Sequence, residues 1–342
     1  MQIYPPPCGE GRPVGPGGGR SSPSVYRSTC RRYRQTPTPD PSPQGGGEIE
    51  ASLSRSTATL IGFTAVLMWA VLAFLTAASG QVPPFQLAAM TFLIGGLLGV
   101  ATWPFRKGVV ASMPRSWRVW LLGIAGLFGY HFVYFTAIRS APPVEVSLLA
   151  YLWPLFLVAF SALLPGEKLK VHHILGVIIG LLGAALVITR GQGFTLAQGF
   201  GLGHALGFSC AIIWAAYSVL SRRFGNVSTD VVAGFCLITS ALAFLCHLLF
   251  EATVWPEGQS QWLAILGLGL FPVGAAFYSW DLGVKRGDIM ALGASSYASP
   301  LLSTLVLMLA GFAPYHWSIF VACLLITAGA VIAAKDMIFR RR

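Results

Sequence analysis

From Thr57 onward the chain reads as ten apolar runs separated by short polar loops, at roughly 57–79, 84–103, 118–138, 144–164, 171–189, 200–221, 230–250, 262–284, 289–311 and 315–337. A bilayer core of ~30 Å calls for about 20 apolar residues at the helical rise of ~1.5 Å, and each run is about that long. In lipid, backbone N–H and C=O groups must be satisfied within the protein, and a helix does so within one segment. The predicted fold is therefore an all-α membrane protein with ten transmembrane helices. No loop between them is long enough for a soluble domain. Composition agrees: 55% of residues are hydrophobic and 10% charged, against about 25% charged in soluble domains.

A net charge of +11 would suggest nucleic acid as a partner for a soluble chain. Here the charges sit between apolar runs and at the ends, so topology explains them and no nucleic acid is expected; the partners are membrane lipid and a small molecule. Fourteen Lys and Arg fall in loops on one side, among them Arg106, Lys168, Arg222, Lys285 and Arg342, against Arg139 and Arg190 on the other. By the positive-inside rule both termini lie in the cytoplasm. Six cysteines (8, 30, 210, 236, 246 and 323) show no paired or metal-ligand spacing, so neither a disulfide framework nor a metal site is expected.

Residues 1–52 are rich in Pro, Gly, Ser and Arg and hold no apolar core, which predicts a disordered tail. The stretch lacks the apolar segment of a secretory signal. Its resemblance to a transit peptide is weakened by its Pro and Gly content, and a later translation start is an alternative.

The ten runs repeat internally. Trp69-Ala70 matches Trp214-Ala215, and Gly129 and Phe132 match Gly274 and Phe277, at an offset of 145. Tyr151 and Pro154 match Tyr297 and Pro300, and Gly183-Ala184 matches Gly329-Ala330, at 146. This divides the chain into a first repeat, 53–191, and a second, 192–342. Five runs per half is an odd number, so the halves would run in opposite senses, the inverted plan of many secondary transporters. Glycines at helical spacing, such as Gly95 with Gly99 and Gly176 with Gly180, suit close helix packing.

Pro154 and Pro300 stand at matching positions inside apolar runs. Each removes a backbone hydrogen bond and clashes with the carbonyl four residues back, so a kink is expected at each. Paired interruptions in the two halves point to a binding site near the midplane.

No carboxylate sits at mid-depth; Asp281 lies deepest, with Lys285 one turn later as a ready partner. His131 is well inside its run, where an ionisable side chain is expensive and marks function, and Tyr130 and Tyr134 flank it. Tyr151 and Trp153 surround the first kink; Trp214, Tyr217 and Tyr278 are deep in the second half, and Ser296 and Tyr297 adjoin the second kink. Together these ten residues are the candidate substrate-binding set, lining a central cavity of aromatic faces, hydroxyls and indole N–H groups. For each ring taken singly, helix packing is the simpler explanation. Such walls suit a zwitterion or neutral solute with an apolar body and discriminate weakly between side chains, since one methylene is worth only ~1–3 kcal/mol. Trp103, Trp117, Trp255, Trp262 and Trp317 are placed as interfacial anchors. No cofactor is expected.

Trp69, Tyr151-Leu152-Trp153-Pro154-Leu155 and Pro165-Gly166-Glu167-Lys168-Leu169, followed by Gly176 and Gly183, resemble the EamA type of the drug/metabolite transporter superfamily over about residues 57–337. The segment Tyr130-His131-Phe132-Val133-Tyr134-Phe135-Thr136-Ala137 with Ala141-Pro142-Pro143 resembles, more narrowly, the YddG-type aromatic amino acid exporters. The resemblance implies an inner-membrane carrier that moves amino acids, aromatic ones included, out of the cell. One departure is Gly311-Phe312, where the family often has Gly-Glu. Other readings are a drug, nucleotide-sugar or metabolite carrier of the superfamily, or a membrane-embedded enzyme. The absence of deep Arg or Lys disfavours phosphate-bearing substrates, and no nucleophile, base or paired carboxylates at workable spacing supports an enzyme. Without a mid-membrane carboxylate facilitated diffusion is plausible, while His131 leaves proton coupling open.

Overall fold

The computed structural model describes residues 53–106, 108–166, 168–189, 191, 201–311, 317–333 and 335, and every regular element among them is helical. The tail expected over 1–52, together with Glu167, Arg190 and Phe312, lies outside the described residues. Seven helices are long and apolar enough to cross a membrane. These are α1 (Arg55–Ala78), α2 (Pro84–Phe105), α3 (Trp117–Ser140), α6 (Leu202–Arg223), α7 (Val231–Phe250), α8 (Gln259–Arg286) and α9 (Ile289–Leu309). Three apolar helices are shorter: α4, in two pieces (Pro143–Ala150 and Trp153–Ser161), α5 (Val171–Ile188) and α10 (Trp317–Ala333). The chain is a multi-pass membrane protein.

The prolines act where the sequence places them. Helix α4 stops at Ala150, turns through Tyr151 and Leu152, and restarts with Pro154 in its first turn, where a missing N–H is harmless. Helix α9 breaks at Ser296 and Tyr297 in the same way, between Ile289–Ser295 and Ala298–Leu309. A second matched irregularity has no proline signal in its first copy. Helix α3 widens into a π turn over Ala125–Gly129, and α8 does so over Phe271–Ala275, an offset of 146. Such turns are rare and free backbone carbonyls from the regular ladder.

Packing pairs the halves across each other. Helix α5 lies on α10, α2 on α7, and the second piece of α4 on the first piece of α9, while α1 packs on α8 and α9 as α6 packs on α3 and α4. At the level of whole helices, exchanging each with the one five places on maps these named contacts onto one another, whereas the α6–α8 contact has no counterpart of similar extent between α1 and α3. Small residues set the closest approach: a Cβ at Gly176 of α5 would fall 2.5 Å from the Gly329 carbonyl oxygen of α10.

Polar contacts sort the loops into two ends. At one end Arg106 pairs with Asp230 at 2.5 Å, Arg55 with Asp288 at 3.2 Å, and Arg222 donates to the Gly287 carbonyl at 2.9 Å. At the other, Arg139 reaches Glu251 at 3.0 Å, His204 pairs with Glu145, and Gln86 donates to the Val254 carbonyl at 3.0 Å. Glu251 also accepts from the backbone N–H groups of Phe85 and Gln86, a carboxylate placed at the positive end of α2.

Candidate functional site

Four tryptophans meet at the centre of the bundle: Trp69 on α1, Trp153 on α4 just past its break, Trp214 on α6 and Trp280 on α8. All six pairs have ring centroids between 5.2 and 6.4 Å apart, mostly edge to face. That is the geometry the aromatic quadrupole favours. Phe277, one turn before Trp280, lies 5.8 Å from Trp214 and 6.4 Å from Trp69.

The π turn of α8 serves this cluster directly. The Trp69 indole N–H donates to the Pro272 carbonyl at 3.0 Å, inside that turn. The Trp280 N–H donates to the Ser218 hydroxyl at 3.0 Å. Among the described residues, the indole N–H groups of Trp153 and Trp214 have no hydrogen-bond acceptor. Two indole donors of the cluster are therefore unused within the protein.

The predicted set divides into three. Trp153 and Trp214 are in the cluster, and Tyr217 joins it, its ring 5.3 Å from Trp214. Tyr130 touches Trp214 at 5.6 Å and stacks on Tyr134 at 6.0 Å, extending the aromatic surface along α3. Both tyrosines are half-buried, and a Cβ at the neighbouring Gly129 would meet nothing within 4 Å. Tyr151 lies near Tyr134 and Ser299. The break at Pro154 thus turns Trp153 into the tryptophan cluster and leaves Tyr151 on the tyrosine side.

His131 lies behind the aromatic cluster. Its Nδ1 lies 2.7 Å from the Leu127 carbonyl oxygen, so Nδ1 carries the proton and donates there. The ring is held edge-on against Phe92 at 5.0 Å and near Phe135 at 5.9 Å. Phe92 stacks on Phe277 at 5.6 Å, which makes His131 a support behind the cluster.

Tyr278, Ser296 and Tyr297 lie elsewhere. The Tyr278 hydroxyl donates to the Gly95 carbonyl at 2.9 Å and its ring packs where a Cβ on Gly99 would be, so it faces α2. Ser296 donates to the Leu292 carbonyl of its own helix at 2.7 Å. Tyr297 is fully buried in a separate core, with Val177, Ala184 and Ile326, against Gly180. None of the three side chains is among those that meet at the tryptophan cluster.

Trp280 and Phe277 were missing from the predicted set, and Trp69 entered it only as a motif. Their signal was the three-residue spacing of 277 and 280, one face of a helix that also carries Tyr278 and Asp281 on others. The centre itself is filled: Trp153, Trp214 and Trp280 are each less than a tenth exposed. In place of the expected central cavity this structure has packed rings, because four indoles occupy the space that the helix breaks create. Among the described residues no group of three His, Cys, Asp or Glu side chains gathers at metal-binding distance.

One buried ion pair adjoins the cluster. Lys285 Nζ lies 2.7 Å from Asp281 Oδ2, one turn apart on α8, with both side chains nearly inaccessible.

Known proteins share this architecture. The aromatic amino acid exporter YddG of Ancylobacter novellus is 53% identical over 282 residues, spanning 82% of this chain and 98% of that protein. The protein of the same description in Escherichia coli is 24% identical over 82% of this chain and 97% of its own length. A solved crystal structure superposes with a TM-score of 0.76 at 52% identity, covering 82% of this chain and 99% of that one. The model of the EamA-like transporter family matches twice, over residues 56–189 and 201–334, and the chain belongs to that family of transporters.

Proposed function

We propose that this chain is an inner-membrane exporter of amino acids, aromatic and other largely neutral ones with broad specificity, working by alternating access as a secondary carrier or facilitator. The tryptophan cluster carries this reading: indoles from α1, α4, α6 and α8 converge on one point, and two of their N–H groups are left to donate. Aromatic faces and edges fit an aromatic side chain, and an indole N–H fits a substrate carboxylate or carbonyl oxygen. The identity to an exporter described as acting on aromatic amino acids supports the same substrate class.

In this account all ten helices cross the bilayer, the three shorter ones included, in two oppositely oriented halves. The helix contacts that map onto one another when each helix is exchanged with its counterpart support that arrangement. The end carrying Arg106, Arg222 and Lys285 is cytoplasmic, following the distribution of Lys and Arg. The packed rings of this structure separate along the helix breaks to form a central cavity when substrate is taken up. The substrate side chain lies among Trp69, Trp153, Trp214 and Trp280, with Tyr130, Tyr134, Tyr151 and Tyr217 forming the adjoining wall. His131 holds Phe92 in place, and the cycle runs without a coupling proton.

The test is counterflow of labelled phenylalanine into liposomes holding Trp153→Ala or Trp214→Ala. The expected result is a loss of about tenfold or more, the equivalent of ~1.4 kcal/mol, with the protein still monodisperse. Unchanged flux from both folded variants would remove the cluster from the substrate path.

A further inference from the structure

The cluster offers rings and N–H donors but no charge, and a zwitterion carries two. Asp281 directly follows Trp280, and a pocket beside the Asp281–Lys285 pair, with room in this packed state for about one water, is walled by Tyr217, Ser221, Phe224 and Val231. Tyr217 faces both: it lines this pocket and its ring lies against Trp214. The pocket and the cluster are therefore two sides of one tyrosine.

The pair itself has spare capacity. A carboxylate has about four acceptor positions, and Lys285 is the one charged partner found for Asp281 among the described residues, while Asp281 Oδ2 accepts no hydrogen bond there. The ammonium has three donors; one is used, on the Val227 carbonyl at 3.0 Å, and the contact with Asp281 is an ion pair. A buried ion pair adds little stability over an apolar filling of the same volume, because desolvation offsets the attraction. Ionisable groups within a membrane bundle are for that reason a mark of function. Phenylalanine or a similar amino acid would bring its own opposite charges, so exchanging partners leaves every buried charge paired.

Resting on the amino acid reading above, we propose that Asp281 and Lys285 are the site that reads the main chain of a zwitterionic amino acid. Its ammonium meets Asp281, its carboxylate meets Lys285, and its side chain passes Tyr217 towards the tryptophan cluster. The site accepts α-amino acids and excludes analogues lacking either charge.

The experiment is counterflow of labelled phenylalanine, with unlabelled phenethylamine (no carboxylate) and 3-phenylpropionate (no ammonium) as competitors. On the unaltered protein each analogue competes at least about tenfold less well than phenylalanine; equal competition by both overturns the proposal without any variant. D281N and K285M each lose about tenfold or more of phenylalanine flux. Competition by 3-phenylpropionate persists in D281N, and competition by phenethylamine persists in K285M. The exchanged double variant D281K/K285D keeps an ion pair, and so its unfolding midpoint, yet stays inactive. Wild-type flux in that variant would show a structural pair and overturn the assignment. The two readings fail separately: no phenylalanine counterflow by the unaltered protein defeats the amino acid reading, whereas flux lost in Trp214→Ala but kept in D281N defeats only the ion-pair site.

Discussion

Trp69→Phe isolates a single bond in the centre of the molecule. The indole N–H of Trp69 donates to the Pro272 carbonyl at 3.0 Å and so ties α1 to the π turn of α8. Phenylalanine keeps an aromatic ring and removes the donor, leaving an interior carbonyl without that partner, a loss of ~1–3 kcal/mol. The smaller ring also recedes from Trp280, at 5.2 Å, and from Trp214, at 5.8 Å, and an aromatic pair is worth ~0.5–1.5 kcal/mol. Together these predict a destabilisation of ~2–4 kcal/mol, with Trp69→Ala at the upper end of the ~3–5 kcal/mol of a large-to-small core change. Equilibrium unfolding in mixed micelles, followed by far-ultraviolet circular dichroism, measures it. A Trp69→Phe protein within ~0.5 kcal/mol of the parent, below the smallest contribution expected of one hydrogen bond, would refute the reasoning.

Gly176→Leu places a side chain where the Gly329 carbonyl oxygen already lies 2.5 Å from the Cβ position; the α5–α10 contact must open, and the yield of monodisperse protein should fall sharply. Glu251→Ala should cost several times what Arg139→Ala costs in the same unfolding assay. The Glu251 side chain is 2% exposed and accepts from Phe85, Gln86, Arg139 and His247, whereas half of Arg139 is in solvent, where an ion pair is worth ~0–1 kcal/mol. Tyr297→Phe should leave phenylalanine flux within about twofold of the parent, because Tyr297 sits in the α5–α10 core and not against the indoles. A tenfold loss there would return it to the substrate site.

What the sequence made legible follows from the solvent. Lipid forces each apolar run to be a helix, so the runs from Thr57 to about 337 could be read from length alone; a helix lies in each of them, seven long and apolar enough to cross a membrane and three shorter. Pro154 and Pro300 could be read because a proline is tolerated in the first turn of a helix but not in its interior, so each apolar run must break just before it. The π turns at 125–129 and 271–275 could not, since the first contains no residue that demands one. Depth along a helix was legible, and the rings of Trp153 and Trp214 do meet within the bundle. Rotation was not. Tyr278 faces α2 while Trp280, two residues on, faces α1, and that choice rests on which helix lies alongside. An apolar run in lipid carries no polar face to announce it. His131 shows the same limit: its depth is legible in the sequence, whereas the Leu127 carbonyl that accepts from its Nδ1 is not.

The central claim is that a zwitterionic amino acid crosses this protein between its aromatic walls. Counterflow into liposomes bearing the purified chain, loaded with unlabelled phenylalanine and given no ion gradient, tests it most directly. The account predicts saturable uptake of labelled phenylalanine, competed by tyrosine, tryptophan and leucine, not by a nucleotide sugar, and insensitive to an imposed pH step. Folded protein that exchanges the nucleotide sugar and leaves amino acids untouched would contradict it.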